Sequence, residues 1–274
     1  MDAASGGERS ARPAPGRRQR RLGQNFLADP NLLETIVREA GLEPADVVLE
    51  VGGGGGALSE RLAPAVACLH LIEVDERLRI ELEPLAEEAG NVNLVWGDAM
   101  RVDLAQLLPP PTKMVANLPY AIATPLLLRT ISELPTLSDW VVMVQREIAE
   151  RLRASPGGGE YGSPSVLVQL ACEVTLLRTV DPAVFTPRPR VESALLRLRR
   201  RGPAAPEPVR ELVRDGFAHR RKSLARSLEL ARPGRLEPAR RALDAIGKPA
   251  DARAETLSGE DFEALARALE EASR

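Results

Sequence analysis

The sequence predicts a doubly wound α/β domain followed by a small all-α domain, and three observations lead to this prediction. Between residues 29 and 154, near-continuous apolar segments alternate with helical patterns. One of these segments runs directly into five glycines that open a helix. After the proline-rich segment 203–208, only helical patterns remain. Strands that are apolar on both faces are typical of a parallel sheet covered by helices on each side.

The α/β part begins with a capped helix. Asp29 and Pro30 precede the helical pattern, and Gly41 follows it, which is the order of residues that helix ends favour. The strands predicted next are DVVLEV (46–51), ACLHLIEV (67–74), VNLVW (92–96), KMVAN (113–117) and WVVMVQ (140–145). The helices predicted between and after these strands cover residues 57–63, 76–89, 124–132 and 146–154.

The domain boundaries follow from composition. Residues 1–21 contain Ala, Gly, Pro and Arg without an apolar segment, which predicts a disordered basic tail and no secretory signal. We assign residues 22–204 to the α/β domain and 205–274 to the helical domain, with helices at 209–217, 222–230, 237–246 and 259–271. No apolar run approaches the roughly 18 residues that span a bilayer, so we expect no membrane segment.

The charge of the chain is distributed unevenly. The net charge is only −2, but the segment 188–241 is rich in arginine, and Arg220, Arg221 and Lys222 adjoin one another there. Because a phosphate backbone responds to a local patch, this pattern favours a nucleic-acid partner, although a solvated arginine-rich surface would give the same pattern. Two isolated cysteines and two distant histidines predict a reduced cytoplasmic protein without a metal site.

The glycine-rich turn lies in the segment LEVGGGGGAL, residues 49–58. Glycines at this place let a ligand approach the backbone, and the helix that follows presents free N–H groups to it. The pattern also satisfies G-x-G-x-x-A, so the turn alone does not separate NAD from another nucleotide-like cofactor.

Three further polar residues follow strands of the same sheet: Glu73, Asp98 and Asn117. The carboxyl ends of parallel strands meet at one edge, where ligands of open α/β sheets bind. Glu73 suits a ribose and Asp98 suits an adenine amino group. The sequence shows no hydride-transfer partner, and no Walker lysine follows the glycines. This combination favours S-adenosylmethionine as the cofactor.

The segment Asn117–Tyr120, NLPY, indicates what is methylated. An exocyclic amine on a base is a poor nucleophile because its lone pair is delocalised into the ring. The amide oxygen of Asn117 and the carbonyl of Leu118 or Pro119 would accept its two N–H bonds and direct the lone pair at a methyl group. Pro119 rigidifies the turn, and Tyr120 offers a face on which the base stacks.

Together these motifs resemble the ribosomal RNA adenine dimethylases over residues 20–230, and most closely their small-subunit branch. The resemblance implies a Rossmann-like class I methyltransferase domain and N6,N6-dimethylation of two adjacent adenines near the 3′ end of small-subunit rRNA during ribosome biogenesis. It places Asn25 and Leu27 of LGQNFLAD in a cofactor lid, Gly52 and Gly54 on the methionine portion, Glu73 on the ribose, and Asp98 with Ala99 on the adenine. It places Asn117, Leu118, Pro119 and Tyr120 at the catalytic position, Phe185 of FTPRPRVES on the target base, and Arg220, Arg221 and Lys222 on RNA.

The chain departs from the family pattern at three positions. Gly53 stands where proline is usual, Ser59 where threonine is usual, and Ala123 where serine is common. None of these removes a proposed contact, but we expect Gly53 to make the loop more flexible and to weaken cofactor affinity.

Three other functions remain as alternatives. One is methylation of a large-subunit adenine, which would give macrolide resistance. Another is a ribosome-assembly factor in which methylation is secondary or lost, and the most distant is a NAD-dependent oxidoreductase. Under the leading hypothesis, the expected partner is small-subunit rRNA in an assembling 30S particle. We expect a cytoplasmic monomer with no metal.

Overall fold

The computed structural model describes residues 25–27 and 29–272. The predicted basic tail and part of the segment LGQNFLAD lie outside these residues. The strands are β1 (Phe26–Leu27), β2 (Val47–Val51), β3 (Cys68–Glu73), β4 (Val92–Trp96), β5 (Lys113–Asn117), β6 (Asp139–Gln145), β7 (Cys172–Val180), β8 (Phe185–Thr186) and β9 (Ser193–Arg200). The helices are α1 (Pro30–Ala40), α2 (Ser59–Leu62), α3 (Arg79–Ala89), α4 (Ala123–Glu133), α5 (Arg146–Arg153), α6 (Ser163–Ala171), α7 (Glu207–Phe217), α8 (Leu224–Ala231), α9 (Leu236–Ala245) and α10 (Gly259–Glu271).

Seven strands form the central sheet in the order β4-β3-β2-β5-β6-β9-β7. Strands β2 to β6 are parallel, whereas β9 runs antiparallel to both β6 and β7. The chain moves outward from β2 to β4 and then returns to β5 beside β2. The strand order therefore reverses between β2 and β5, which is where open α/β sheets bind their ligands.

Helices cover both faces of this sheet, as the sequence predicts. On one face Val48, Leu69 and Val115 form a core with residues of α1 and α2. On the other face Leu49 and Met114 belong to a core that includes residues of α4, α5 and α6. The alternation of neighbouring residues between the two cores accounts for the near-continuous apolar strands.

The first helix has the predicted caps. The side chain of Asp29 accepts a hydrogen bond from Leu32 N at 2.8 Å, and Pro30 occupies the first turn. Gly41 ends the helix with φ of 52°, a left-handed conformation that glycine adopts without strain.

Two strands of the sheet, β7 and β9, were not predicted. Strand β9 carries several arginines, which hide its apolar pattern, but two of them are satisfied inside the fold. Arg197 pairs with Asp139 on β6, and Arg200 donates to the carbonyls of Leu137, Ile131 and Leu134. Part of the arginine-rich segment is therefore structural, which corrects the interpretation of the whole segment as a surface patch.

The helices α7 to α10 surround a separate core, as the sequence predicts. This core also includes Tyr161 and Val166, which precede the predicted boundary at residues 204 and 205. Tyr161 donates its hydroxyl proton to the carbonyl of Leu257 at 2.9 Å. The boundary itself stays a prediction. No helix among residues 25–27 and 29–272 is sufficiently long and apolar to span a bilayer.

Candidate active site

A cavity of about 310 Å³ lies at the carboxyl ends of β2, β3 and β5. It is lined by every residue that the sequence assigns to the cofactor or to catalysis: Asn25, Leu27, Gly52, Gly54, Glu73, Asp98, Ala99, Asn117, Leu118, Pro119 and Tyr120. The parallel strands bring these residues together although up to 95 positions separate them in the chain (120 − 25). Phe185 is not among the lining residues.

Three glycines of the turn, Gly52, Gly54 and Gly56, have a backbone that other residues rarely adopt, and the first two line the cavity. Gly52 has φ of 81°, and a Cβ there would lie 3.4 Å from the ring of Pro119. Gly54 has φ of 56°, and a Cβ there would lie 2.9 Å from the ring of Phe26. A side chain at either place would intrude on the cavity wall, so the glycines keep this cradle open.

Gly53 has a different environment. A Cβ at this position would lie 2.7 Å from Cδ1 of Leu71, which is fully buried on β3. The space that the proline of the family pattern would use is therefore occupied by a neighbouring side chain. This packing gives the departure at Gly53 a physical reason, whereas its expected effect on affinity stays a prediction.

The carboxylate of Glu73 lies at the centre of the cavity wall and is 3% exposed. Its Oε1 accepts hydrogen bonds from Val74 N and Asp75 N at 2.8 and 2.9 Å, and its Oε2 accepts one from Gly54 N at 3.1 Å. Burial raises the pKa of Glu73, and the backbone N–H bonds oppose this shift. The bonds fix both oxygens in a position where the hydroxyls of a ribose can donate to them.

Asp98 and Ala99 form the next part of the wall. Asp98 Oδ1 accepts from Met100 N at 2.9 Å, and its side chain remains 45% exposed. Arg129 of α4 donates to the carbonyls of Ala99 and Val102 at 2.6 and 2.7 Å, so it fixes this loop from the other side. Arg129 was not predicted, and its only signal in the sequence is a single charge within an apolar helix.

The catalytic turn is anchored at both ends. Leu118 N donates to Met143 O at 3.1 Å, and Pro119 O accepts from Ile122 N at 3.1 Å. Because the Pro119 carbonyl already accepts a bond at the start of α4, the geometry favours the Leu118 carbonyl as the second acceptor for a target amine. The amide nitrogen of Asn117 donates to the backbone carbonyl of Asn25 at 3.0 Å.

Tyr120 is held by a residue that was not predicted. Its hydroxyl is 2.7 Å from Oγ of Ser193, which is fully buried at the start of β9. Burial raises the pKa of Tyr120, and the bond to Ser193 opposes this shift. The phenol is therefore neutral near pH 7, which fits the predicted role of Tyr120 as a ring face and not that of a base. Ser193 belongs to the segment FTPRPRVES, which was its signal in the sequence.

Phe185 lies in the core beneath the cavity and is 3% exposed. It belongs to β8, which pairs with β1 so that Phe185 lies opposite Leu27. The ring would have to leave this position to contact a base. Its role on the target base stays a prediction, and in this structure it supports β1, the strand that follows Asn25.

A second carboxyl group lies just below the glycine turn. Glu50 is 1% exposed and its Oε2 accepts the hydroxyl proton of Ser59 at 2.6 Å, which ties the end of β2 to the start of α2. Burial raises the pKa of Glu50 to about 8, the Ser59 bond opposes this shift, and the charge of Glu73 adds to it. Glu50 is the acid of the motif that the sequence analysis left without a role.

The three basic residues at the head of the helical domain differ from one another. All three are exposed, but Arg220 donates to the carbonyls of Gly159 and Tyr161 at 3.1 and 2.9 Å. Arg220 is thus a structural link to the loop before α6, whereas Arg221 and Lys222 are the better candidates for phosphate contacts. Their role in RNA binding stays a prediction.

Comparisons with known proteins agree with this site. Residues 16–262 match the family profile described as ribosomal RNA adenine dimethylase. The chain belongs to the ribosomal RNA adenine dimethylase family. This membership confirms the predicted class, an S-adenosylmethionine-dependent methyltransferase that acts on adenine in ribosomal RNA, and it argues against the NAD-dependent alternative.

Individual relatives match this chain over almost its whole length. A protein of Rubrobacter xylanophilus named ribosomal RNA small subunit methyltransferase A is 45% identical over 92% of this chain and 95% of its own. A protein of the same name from Pelotomaculum thermopropionicum is 42% identical over 89% of each chain. The structure of a dimethyladenosine transferase from Plasmodium falciparum is 26% identical, with a TM-score of 0.73 over 88% of this chain and 95% of its own.

The residues of the cavity fit the family cofactor. The glycine cradle and the buried Glu73 would hold its methionine and ribose portions, and Asp98 with Ala99 would hold its adenine. When bound, S-adenosylmethionine supplies an electrophilic methyl group. The chain itself would supply a largely apolar wall, a ribose acceptor and the acceptors for the target amine.

Proposed function

We propose that this family member dimethylates N6 of two adjacent adenines near the 3′ end of small-subunit rRNA during ribosome biogenesis. The observation that carries the proposal is the side chain of Asn117, which projects into the cavity with its amide nitrogen already bonded. The names of relatives up to 45% identical, which match over nearly their full length, support the small subunit as the target.

Each step of the proposed reaction uses a group on the cavity wall. Tyr120 stacks on the extruded base, because a base within a helix or a stack cannot reach a buried methyl donor. Asn117 Oδ1 and the Leu118 carbonyl accept the two N–H bonds of the amine and make its lone pair available. After the first transfer one N–H remains, so one acceptor suffices for the second.

Methylation of the large subunit is the second candidate, and the fold allows it. The structure named 23S rRNA methyltransferase ErmE is 28% identical, with a TM-score of 0.62 over 90% of this chain and 100% of its own. The higher identity to proteins named for the small subunit makes them the better guide to the target.

Mass spectrometry of both rRNAs, from cells with and without the gene, tests the proposal. Dimethyladenosine should disappear from small-subunit rRNA in the deletion strain and return with the wild-type gene, but not with Asn117→Ala. A change confined to large-subunit rRNA, together with macrolide resistance on expression, would replace the proposed target by the second candidate.

The expected partner is an assembling 30S particle in the cytoplasm, where the enzyme acts as a monomer. Support comes from the basic residues Arg221 and Lys222 on the helical domain. Sedimentation of cell extracts should place the enzyme with immature small subunits and not with mature ribosomes.

A further inference from the structure

We propose that the lid residue Asn25, which directly precedes β1, orients the amide of Asn117: its backbone carbonyl selects the rotamer of Asn117 in which Oδ1 faces the target amine. This makes the lid a positioning element for the reaction in addition to a wall of the cofactor cavity. The proposal rests on the proposed role of Asn117 in methyl transfer.

The hydrogen bond itself sets the orientation. An asparagine amide can place either its NH₂ group or its oxygen on a given side, and its neighbours decide which. Asn117 Nδ2 lies 3.0 Å from the Asn25 carbonyl, which is an acceptor only. Rotating the amide by half a turn would place two oxygens against each other and leave Nδ2 towards the amine, where an acceptor is needed. The lid carbonyl therefore favours the productive orientation.

The position of this carbonyl depends on β1, the strand that follows Asn25 directly. Strand β1 is only two residues long and pairs with β8, with Phe26 opposite Thr186 and Leu27 opposite Phe185. The ring of Phe26 lies against Gly54, where an added Cβ would come within 2.9 Å of it. Lid, glycine turn and amide thus form a continuous chain of contacts.

Backbone esters in the full-length protein test the contact directly. Replacing Phe26 by its α-hydroxy counterpart turns the bond between residues 25 and 26 into an ester, which weakens the Asn25 carbonyl as an acceptor. The matched control replaces Leu27 in the same way and weakens the carbonyl of Phe26 instead. Three measurements follow: the side-chain amide signal of Asn117 in ¹⁵N spectra of the free protein, the affinity for S-adenosylmethionine by calorimetry, and single-turnover methyl transfer to immature small subunits at saturating cofactor.

We expect the ester at position 26 to speed solvent exchange of the Asn117 amide protons, which are assigned by their loss in Asn117→Asp. The saturated rate should fall about fivefold, the size of effect expected for one weakened hydrogen bond, while the control stays within twofold of wild type. Equal behaviour of the two esters, or a loss of cofactor affinity at an unchanged saturated rate, would overturn the inference. Failure of the wild-type protein to methylate adenine would instead contradict the proposed function, and the amide spectra would still report on the contact.

Discussion

At the scale of single residues, the site depends on polar groups whose partners lie on a different element of the fold. Asn117 is bonded by Asn25, Tyr120 by Ser193, and Glu50 by Ser59. In each pair, one polar atom forms the hydrogen bond, and this bond fixes the orientation of the rest of the side chain. Replacing one member should therefore affect the reaction or the protonation of the site more than the fold.

Replacing Asn117 by Ala should slow methyl transfer without much change in cofactor binding. The amide acts on the target amine mainly in the transition state, so its loss appears in kcat. We expect a fall on the order of 100-fold or more, the size seen when a transition-state hydrogen-bonding group is removed. Cofactor affinity by calorimetry should change less than about threefold. Unchanged single-turnover transfer would remove Asn117 from the mechanism.

Replacing Glu50 by Gln should change how the stability of the free protein depends on pH. Burial raises the pKa of Glu50 to about 8 in the folded protein. At a pH between the ordinary pKa of a glutamate and this raised value, Glu50 is therefore protonated in the folded state and ionised in the unfolded state. Between about pH 5 and pH 8, rising pH therefore destabilises the wild type at this position, by at most about 1.4 kcal/mol per unit. Gln retains an acceptor for Ser59 and does not titrate.

The measurement is urea unfolding of both proteins at pH 5, 6.5 and 8 without cofactor. The free energy of unfolding of Glu50→Gln relative to wild type should rise with pH across this range. Ser59→Ala keeps the carboxyl group and serves as the control, because it should retain the wild-type direction of the pH dependence. A constant difference between Gln and wild type would mean that Glu50 is ionised in the folded protein.

At the scale of elements, the sequence predicted the strands that show a local apolar pattern and missed the strands that depend on tertiary contacts. Strands β2, β3, β5 and β6 were predicted because both faces of each are buried, which leaves long apolar runs. Strand β4 lies at the edge of the sheet and is only partly buried, but it is also mostly apolar. Strand β9 was missed because its arginines are satisfied by Asp139 and by backbone carbonyls that only the folded chain brings near. Strand β8 was missed because a strand of two residues is too short to show an alternation of apolar and polar residues.

The site shows the same division. Glycines and strand-end acids are recognisable by their position, so the glycine turn, Glu73 and Asp98 were predicted from the residues themselves, whereas resemblance supplied Asn25, Leu27 and Ala99. The structure brings all of them to one cavity, and their contacts with a cofactor stay a prediction. Arg129 and Ser193 were not, because each acts through a contact with a segment far away in the chain. Glu50 was not, because its contact with Ser59 forms only when β2 and α2 are in place. Resemblance supplied Phe185, and the structure places it in the core.

Substitutions of Phe185 on β8 distinguish two roles of this residue, which are packing in the core and stacking on the target base. Phe185→Ala should lower stability by about 3 kcal/mol, the usual cost of a large cavity in a core. Phe185→Leu retains most of the buried volume and has no aromatic face, so it is the sharper variant. If the ring stacks on the target base, Phe185→Leu should fold, bind cofactor as wild type does, and lose about tenfold in rate. Equal single-turnover rates would confine Phe185 to the support of β1.

At the scale of the whole molecule, specific polar contacts join the helices α7 to α10 to the part of the chain that precedes them. Arg210 of α7 donates to Ser132 of α4 at 2.9 Å, and Tyr161 before α6 bonds to Leu257 of the helical core. Arg220 adds bonds to Gly159 and Tyr161 in the same region. The head of the helical domain is thus fastened to the methyltransferase domain, and charges there have a defined place relative to the cavity.

This arrangement leads to a prediction about RNA binding that separates structural from phosphate-binding charges. Arg221 and Lys222 are exposed beside Arg220, which is occupied by carbonyls. Each phosphate contact that is lost reduces the slope of log affinity against log salt by roughly 0.7 to 0.9. The double variant Arg221→Ala with Lys222→Ala should therefore bind immature subunits more weakly and reduce that slope by about 1.5.

The pair Arg240→Ala with Arg241→Ala on α9 removes the same charge from another exposed place and should leave the slope nearly unchanged. Filter binding between 50 and 200 mM salt, roughly the range over which phosphate contacts are titrated, measures both slopes. Identical slopes for the two double variants would mean that Arg221 and Lys222 contribute only general charge, and the RNA surface would then have to lie elsewhere on the molecule.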